Sequence, residues 1–166
     1  MLTTGPYMDT LHRKRALRCF SNGVYILTSR SGERYGAGTV SWVSQISFKP
    51  PLIMAAVRRE SNAFGCLSES RVAAIHVLRA GQEDLAQRFF TPTTVTAGKI
   101  NGEQFVGRAT SAPILESAPA YVECNVKHIV DTGGDHAVVI MEVIDANCQA
   151  PFQPLTIRDS PWEYGG

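Results

Sequence analysis

The sequence predicts a mostly β domain, a barrel with a few short α-helices. Short apolar runs separated by Gly, Pro, Asn and Asp recur along most of the chain, which is typical of strands joined by turns. Only three short segments have helical character. The length of 166 residues and the hydrophobic content of 44% fit a single domain over residues 1–166.

The first part of the chain is predicted to form a helix followed by two strands. Residues 7–20 contain loosely periodic apolar residues without Gly or Pro, and Asn22-Gly23 ends this helix. A strand over residues 24–28 closes in a turn at 31–33. The second strand is predicted over residues 38–46, where apolar and small residues are interleaved.

Prolines and a helix cap mark the next elements. Lys49-Pro50-Pro51 indicates a connection, because proline cannot donate to a central strand ladder. Residues 52–57 are continuously apolar, so we expect a strand that is buried on both faces. Ser61 or Asn62 can accept a hydrogen bond from a free N–H group and so begin a short helix through residue 70.

The remaining elements are strands, one helix and a long loop. They are a strand at 72–78, a helix at 82–90, a long surface loop at 91–110, and two strands at 121–130 and 136–144 joined by a hairpin turn at 132–135. Long loops in compact domains are often functional. The residues from 151 onward show no clear period.

The charge balance excludes several classes of protein. Sixteen Lys and Arg residues against fifteen Asp and Glu residues give a formal net charge of +1. Intrinsic disorder requires low hydrophobicity with high net charge, and collagen requires Gly at every third position. A nucleic-acid-binding protein would show a basic excess or a basic stripe, and neither is evident. We therefore expect no nucleic-acid partner.

The sequence also predicts a cytoplasmic protein that does not contact a membrane. No segment reaches the about 18 apolar residues that a membrane span requires, and the first nine residues lack the pattern of a secretory signal. The four cysteines, Cys19, Cys66, Cys124 and Cys148, form no Cys-x-x-Cys pair. We expect reduced and mostly buried thiols.

Two short stretches could hold a ligand. Residues 36–41 are small, which lets a ligand or another backbone come close, but a bulge or a tight barrel bend explains them equally well. They form no Rossmann fingerprint, because the third Gly or Ala and the following helix are missing. Ser61-Asn62, beside Arg58 and Arg59, can form either a phosphate site at a helix N-terminus or a simple helix cap.

The histidines predict no metal site. His136 follows Gly134-Asp135 at the mouth of the predicted hairpin, where it could position a ligand or satisfy the turn backbone. His128 could lie across from it, but two histidines without a third ligand are weak evidence for a metal. We expect His76 in the core and His12 at the surface. No serine lies in a Gly-x-Ser-x-Gly elbow, so no nucleophile is apparent.

Several segments together follow the pattern of a known family. They are Phe-Ser-Asn-Gly-Val at 20–24, Thr-Val-Ser at 39–41 with Pro-Pro-Leu at 50–52, Gln-x-x-Leu-Ala-x-x-Phe at 82–89, Pro-x-Leu-x-x-Ala-x-Ala-Tyr-x-x-Cys at 113–124, and Gly-Asp-His at 134–136. In their order and spacing, over about residues 15–146, the chain resembles the flavin reductase-like family. Ser-Trp-Val-Ser-Gln at 41–45 also resembles the flavin reductase domain of flavodiiron proteins.

The resemblance implies a fold and an activity. The fold is a Greek-key split β-barrel that binds FMN, with FAD also compatible. The activity is that of a flavin reductase, an oxidoreductase in which NADH or NADPH reduces the bound flavin by direct hydride transfer. The resemblance further implies a homodimer that supplies reduced flavin to a separate flavin-dependent monooxygenase.

The resemblance also implies roles for individual residues. The flavin ring and ribityl chain lie along residues 39–44, and Ser61-Asn62 bind the phosphate, with Arg58 or Arg59 as the charge that compensates Glu60. Arg88 and Phe89 close over the flavin, and His136 is the catalytic residue that places the nicotinamide. The cofactor-binding residues are thus Thr39, Val40, Ser41, Trp42, Val43, Ser44, Arg58, Ser61, Asn62, Arg88 and Phe89.

The chain departs from the family pattern in ways that leave alternatives open. Ala63 stands where many members have Thr, and Glu60 places a negative charge near the expected phosphate. Residues 159–164 replace a Tyr-His-Arg-Gly-like segment, and Trp162 or Tyr164 could pack on the flavin or on a partner subunit. One alternative is an FMN-binding electron-transfer protein reduced by a protein donor. The other is a flavin-free barrel that binds another small molecule.

Overall fold

The computed structural model describes residues 9–166. This part of the chain contains the helices α1 (Thr10–Leu17), α2 (Asn62–Ser70) and α3 (Glu83–Arg88). The longer strands are β1 (Tyr25–Ser31), β2 (Arg34–Val40), β3 (Val43–Ser47), β4 (Leu52–Arg58), β5 (Val72–Val77), β10 (Ala120–Asp131) and β11 (His136–Cys148). The short strands are β6 (Val95–Thr96), β7 (Lys99–Ile100), β8 (Glu103–Val106) and β9 (Ile114–Leu115). The predicted mostly β fold with a few short helices is confirmed.

Seven strands form one antiparallel sheet in the order β2-β1-β5-β10-β11-β4-β3. Its two edge strands, β2 and β3, follow each other in the chain and are linked only by Ser41 and Trp42. A flat sheet of this size would separate its edges by about 29 Å, whereas the link spans at most about 11 Å. The sheet therefore curls until its edges approach each other, although no ladder joins β2 to β3.

The structure corrects two of the predicted strands. The strand expected at 38–46 is two strands, because the chain leaves one sheet edge at Ser41 and joins the other edge after Trp42. A strand does occupy residues 52–57, but it is not buried on both faces as expected. Its burial alternates, with Ala55 and Val57 buried and the residues between them partly exposed.

The long loop expected at 91–110 contains regular structure. The strands β6 to β9 form a small antiparallel sheet of their own. Its tight turns hide the strand period in the sequence, since Ala97-Gly98 and Asn101-Gly102 adopt positive φ between strands of two to four residues. The predicted helix at the start of the chain is shorter than expected: α1 begins at Thr10, and its expected residues 7 and 8 lie outside the described part of the chain.

Three groups of buried apolar side chains lie in the described part of the chain, and the two largest hold most of the fold together. The first lies between α2 and the sheet and includes Leu27, Val57, Leu67, Ile75 and Met141. The second joins β1, α3, β7 and the segment around residue 155, and includes Ile26, Leu85, Phe89, Ile100 and Leu155. Each large side chain that is fully buried contributes about 1.5–3 kcal/mol. No helix within residues 9–166 has the length and apolar character needed to cross a membrane.

His76 is fully buried, as the sequence predicts, and both of its ring nitrogens are hydrogen-bonded. Its Nδ1 donates to Ile26 O at 3.0 Å, and its Nε2 accepts from Leu115 N at 3.0 Å. The backbone N–H at Leu115 can only donate, so the neutral ring carries its proton on Nδ1. Burial lowers the pKa of His76 to about 4, against the smaller opposing effect of its hydrogen bond to Ile26.

The expectation of mostly buried cysteines is right for only two of the four. Cys66 and Cys124 are buried, whereas Cys19 and Cys148 are exposed. Burial, together with a smaller effect of the charge of the neighbouring Glu123, raises the pKa of Cys124 to about 12. The Cys124 thiol is therefore protonated and unreactive at neutral pH.

We predict that His76 makes the fold less stable in acid. In the unfolded chain this ring takes up a proton near pH 6.5, but in the fold only near pH 4, so the free energy of unfolding falls as the pH drops through this interval. A difference of this size corresponds to about 3 kcal/mol. Urea unfolding between pH 4 and pH 7, approximately the interval set by these two values, should show this loss in the parental protein.

The variant His76→Gln should lack this part of the pH dependence, although it starts from lower stability. His12→Gln controls for the loss of a histidine, because the His12 side chain is 77% exposed. Equal pH slopes for the parental protein and His76→Gln would contradict the assignment.

Candidate functional site

A cleft of about 680 Å³ lies where the two edges of the curled sheet approach each other. Its walls come from β2, the link between β2 and β3, β4, the first turn of α2, residues 90–92, residues 135–136 and residues 164–166. Eight of the predicted site residues line this cleft: Thr39, Val40, Ser41, Trp42, Arg58, Ser61, Asn62 and His136. The fold thus gathers on one surface residues that are distant in the sequence.

Four of the predicted site residues lie outside the cleft. Val43 packs against the group of buried side chains between α2 and the sheet, and Ser44 is exposed on β3. Arg88 is ion-paired with Glu103. Phe89 is 2% exposed because its ring fills the second core. The structure therefore does not place Arg88 and Phe89 where they could close over a ligand in this cleft.

Two aromatic residues outside the predicted set, Phe90 and Tyr164, line the cleft. Phe90 is 52% exposed, and its ring packs edge-on against Trp162 with centroids 4.9 Å apart. Helical spacing places Phe89, which follows Leu85 by four residues and Ala86 by three, on the buried face, so Phe90 points outward. The sequence could indicate Tyr164 only as an aromatic residue within 159–164, the segment that departs from the family pattern.

The first turn of α2 presents free hydrogen-bond donors to the cleft. Ser61 caps this helix, because its Oγ accepts from Phe64 N at 3.1 Å and donates to Arg58 O at 2.7 Å. The N–H groups of Asn62 and Ala63 have no partner among the described residues. A helix N-terminus with free N–H groups attracts anions. The predicted anion site therefore has donors, but the Ser61 hydroxyl itself is already engaged in the cap.

Arg58 is a cation that lines the same cleft, and its charge acts on Asp135 and Tyr164. Within residues 9–166 it forms no ion pair, whereas the neighbouring Arg59 pairs with Asp131. Glu60 also lines the cleft, and its carboxylate opposes the binding of an anion. Asn62 Oδ1 accepts from Thr93 N at 3.4 Å, which leaves the Asn62 amide nitrogen free to donate.

A glycine on β2 sets the position of this helix turn. A Cβ at Gly36 would lie 2.4 Å from Asn62 O and 2.6 Å from Ala63 Cα, so only glycine fits at this contact. A Cβ at Gly38 would meet nothing within 4 Å. The sequence leaves two explanations for the small residues at 36–41. At Gly36 the explanation that holds is the close approach of another backbone.

Ser41 carries a hydroxyl that the protein does not satisfy. This residue is 6% exposed, and its Oγ has no hydrogen-bond partner among the described residues. A buried polar group without a partner costs about 1–3 kcal/mol. By contrast, Thr39 Oγ1 already donates to Ala86 O at 2.7 Å. The Ser41 hydroxyl is thus free to donate to a ligand, whereas the Thr39 hydroxyl has already used its proton and can only accept.

His136 forms an aromatic wall together with Trp42 and Tyr164. The Trp42 ring centroid lies 4.9 Å from that of His136 and 5.3 Å from that of Tyr164. His136 Nδ1 donates to Asp135 Oδ1 at 2.7 Å, and this hydrogen bond is the largest of the effects that lower the pKa of Asp135. It holds the imidazole ring and leaves Nε2 for a ligand. Burial raises the pKa of Tyr164, which the charge of Arg58 partly opposes.

His128 does not lie across from His136, contrary to the sequence-based interpretation. His128 pairs with Ile140, whereas His136 pairs with Arg58 on β4. Among residues 9–166, no group of three or more His, Cys, Asp or Glu residues could hold a metal ion. The cleft therefore suits a ligand that has an anionic end for the α2 turn and a planar ring for the aromatic wall.

Sequence comparisons identify relatives with named activities. The family described as "Flavin reductase like domain" matches residues 17–160. The chain is 37% identical over 139 residues to the actinorhodin polyketide dimerase of Streptomyces coelicolor, covering 82% of this chain and 76% of that protein. It is 31% identical over 144 residues to an NADH-dependent FAD reductase of Streptomyces globisporus, covering 83% and 76%.

Two further matches bear on the predicted resemblance. Diflavin flavoprotein A 1 of Synechocystis is 30% identical over 131 residues, which cover 78% of this chain and 23% of that protein. A solved structure of the NADH:FAD oxidoreductase of Streptomyces globisporus C-1027, in complex with NAD and FAD fragments, superposes with a TM-score of 0.74 at 26% identity, covering 88% and 85% of the two chains. The resemblance predicted from the motifs is confirmed.

We predict that Gly36→Ala destabilises the fold and displaces the first turn of α2. The added methyl group overlaps backbone atoms, and overpacking of this kind costs about 1–3 kcal/mol. Gly38→Ala is the matched control, because it adds the same methyl group to the same strand in open space. Urea unfolding should give a lower free energy of unfolding for Gly36→Ala alone. Equal stability of the two variants would contradict the contact.

Proposed function

Because the chain belongs to the flavin reductase-like family of oxidoreductases, we propose that it is an FMN-binding NAD(P)H:flavin oxidoreductase. A bound flavin accepts a hydride directly from a nicotinamide, so this activity requires no nucleophile from the protein. The residues of the chain have to hold two planar rings in contact and keep water away from them. The NADH-dependent FAD reductase among the relatives supports NADH as the donor and makes FAD compatible with the site.

The observation that carries this proposal is the presence of an anion-binding turn and an aromatic wall in one cleft of about 680 Å³. FMN and FAD combine a phosphate with a planar, polar ring, and the cleft offers complementary groups for both. The free N–H groups of Asn62 and Ala63 with Arg58 suit the phosphate. The unsatisfied Ser41 hydroxyl and the ring of Trp42 suit the planar part. The residues present therefore fit the group.

In the proposed complex the backbone of residues 39–42 lies along the flavin ring. Ser41 Oγ would gain the hydrogen bond that it lacks in the protein alone. Arg58 and the α2 turn would bind the phosphate, with Ser61 acting through the cap that holds the turn. Val43 and Ser44 lie outside the cleft, so the proposed contact with the flavin is limited to residues 39–42.

His136 is the proposed catalytic residue for placing the nicotinamide. Asp135 accepts the Nδ1 proton and thereby fixes both the tautomer and the orientation of the ring. The Nε2 atom can then accept a hydrogen bond from the nicotinamide amide. Because Trp42 packs against the same ring, the position of His136 is set from two sides.

The proposal extends to the finer architecture and to the partners. We infer a Greek-key split β-barrel, in which the opening between β2 and β3 is the split, and a homodimer. Large exposed apolar side chains support a subunit interface: Phe48 is 87% exposed and Phe20 is 70% exposed. The delivery of reduced flavin to a separate flavin-dependent monooxygenase rests on the family resemblance. A cytoplasmic location stays a prediction.

Purified protein tests the function. We expect the preparation to bind FMN and the bound flavin to bleach in stopped-flow mixing with NADH or NADPH. Flavin binding without bleaching would instead support the electron-transfer alternative, and absence of flavin binding would support the flavin-free barrel. His136→Ala should raise the apparent KM for the nicotinamide nucleotide about 5- to 10-fold and leave FMN affinity within about two-fold.

His128→Ala is the matched control for the loss of a histidine, because His128 lies on β10 outside the cleft. Loss of FMN binding in His136→Ala, with KM for the nucleotide unchanged, would show that the assigned role of His136 is wrong.

We predict that Arg58 recognises the phosphate of the flavin rather than its ring. Arg58→Gln should weaken FMN binding about five-fold, as expected for the loss of about 1 kcal/mol from an exposed contact to a charged group. Riboflavin has the same ring without the phosphate, so its affinity should not change. Lys127→Gln removes the same charge outside the cleft, from an ion pair with Glu142, and should alter neither affinity. An equal loss for FMN and riboflavin in Arg58→Gln would contradict the phosphate site.

A further inference from the structure

Residues 163–166, which we call the covering segment, follow Trp162, which packs against the second core, and lie across the cleft. Tyr164, Gly165 and Gly166 form part of its lining. The same segment also borders a second, mostly apolar cavity of about 320 Å³, which shares Ser41 and Phe90 with the cleft. The covering segment thus stands between two spaces that meet along β2 and the link to β3. Any ligand that uses both spaces must displace it.

The covering segment is attached to the protein mainly through one side chain. Arg18 Nε donates to Gly165 O at 3.0 Å, and its guanidinium pairs with Glu163 Oε2 at 2.8 Å. Among the described residues, no other hydrogen bond holds residues 163–166. Gly166 additionally packs against the Lys14 side chain of α1. The attachment is therefore polar and lies at the end of α1.

The chain before the covering segment is anchored quite differently. Leu155 N donates to Leu78 O at 2.8 Å, and Ile157 N donates to Asn22 O at 2.9 Å. Leu155 is also 1% exposed within the second core. Backbone hydrogen bonds and apolar burial thus fix the chain through residue 157, whereas residues 163–166 depend on Arg18. A segment with few buried apolar contacts opens at low cost.

The covering segment is held over the cleft by contacts that are open to water. The Tyr164 ring faces Trp42 at 5.3 Å with a tilt of 46°, and Tyr164 remains 44% exposed. The Arg18–Glu163 pair is also open to water, since the Glu163 side chain is 80% exposed. Exposed ion pairs contribute little to stability. The covering segment can therefore leave Trp42 and His136 without disturbing the core.

We propose that the covering segment is a gate of the cleft and that Arg18 is its latch. This inference rests on the proposed function, because it takes the cleft as the flavin site. With the latch closed, Tyr164 packs on Trp42, completes the aromatic wall that Trp42 forms with His136, and blocks the exchange of ligands. With the latch open, the cleft and the apolar cavity join into one groove. Arg18 is a positioning residue that acts through Glu163 and Gly165.

The first experiment detects the gate without any flavin. The chain has two tryptophans, so Trp162→Phe leaves Trp42 as the single tryptophan while it keeps an aromatic ring against Phe90. In this background, acrylamide quenching of Trp42 fluorescence should rise about two-fold or more in Glu163→Gln and further in Arg18→Gln, which loses both contacts. Arg18→Lys should give an intermediate value. Glu33→Gln is the matched control, because Glu33 also pairs with an arginine at the surface but lies away from the cleft.

The second experiment measures ligand exchange by stopped-flow fluorescence with riboflavin. This probe is uncharged, so the loss of the Arg18 charge does not change its long-range attraction to the protein. An opened gate should raise the association and dissociation rates together, each about two- to five-fold, as expected when an exposed ion pair is removed. The loss of a direct contact with the ligand would raise the dissociation rate alone.

The two measurements separate failure of the gate from failure of the proposed function. Unchanged Trp42 quenching in Arg18→Gln and Glu163→Gln, relative to Glu33→Gln, overturns the gate. A rise in quenching with unchanged riboflavin association also overturns it. If the parental protein binds no flavin, the proposed function fails, and the quenching result alone then decides whether Arg18 holds the segment over Trp42.

Discussion

The link of two residues between the edge strands is the constraint on which the rest of the structure depends. Because Ser41 and Trp42 alone join β2 to β3, the seven-stranded sheet has to curl until its edges approach. The hydrogen bond from Ala56 N to Trp42 O, at 2.9 Å, holds the link against β4. The cleft lies where the edge strands β2 and β3 approach each other. Its wall is therefore made of the link itself, and Ser41 and Trp42 serve at once as the connection and as candidate ligand-binding residues.

The strands and helices of this fold are easier to predict from the sequence than the break between β2 and β3. Apolar runs bounded by clear turn residues make β1, β5 and the β10–β11 hairpin predictable. The break at Ser41-Trp42 carries no Gly or Pro, so the stretch 38–46 has the pattern of one continuous strand. The change of sheet edge is set by long-range pairing with β1 and β4, which no local pattern records. The short strands after residue 91 are hidden for a related reason, because they are barely longer than the turns that join them.

Because the chain is nearly neutral, the attraction of an anionic ligand depends on where its individual cationic side chains lie. With a formal net charge of +1, no general positive field draws an anionic ligand to the cleft. Two of the arginines that the sequence offers for this task are used inside the protein, since Arg59 pairs with Asp131 and Arg88 pairs with Glu103. Arg58 is left to line the cleft, where it forms no ion pair among the described residues.

The candidate site shows why residue types locate a binding site more reliably than they identify its binding atoms. Ser61 and Asn62 do lie at the cleft, because the same cap that begins α2 creates free donors there. The Ser61 hydroxyl, however, is consumed by Phe64 N and Arg58 O, and the unpaired donors are the backbone N–H groups of Asn62 and Ala63. Backbone groups are the same at every position, so only the fold reveals which of them are free. Ser41 is the complementary case: its hydroxyl is visible in the sequence, but only its burial without a partner marks it as a group that a ligand would satisfy.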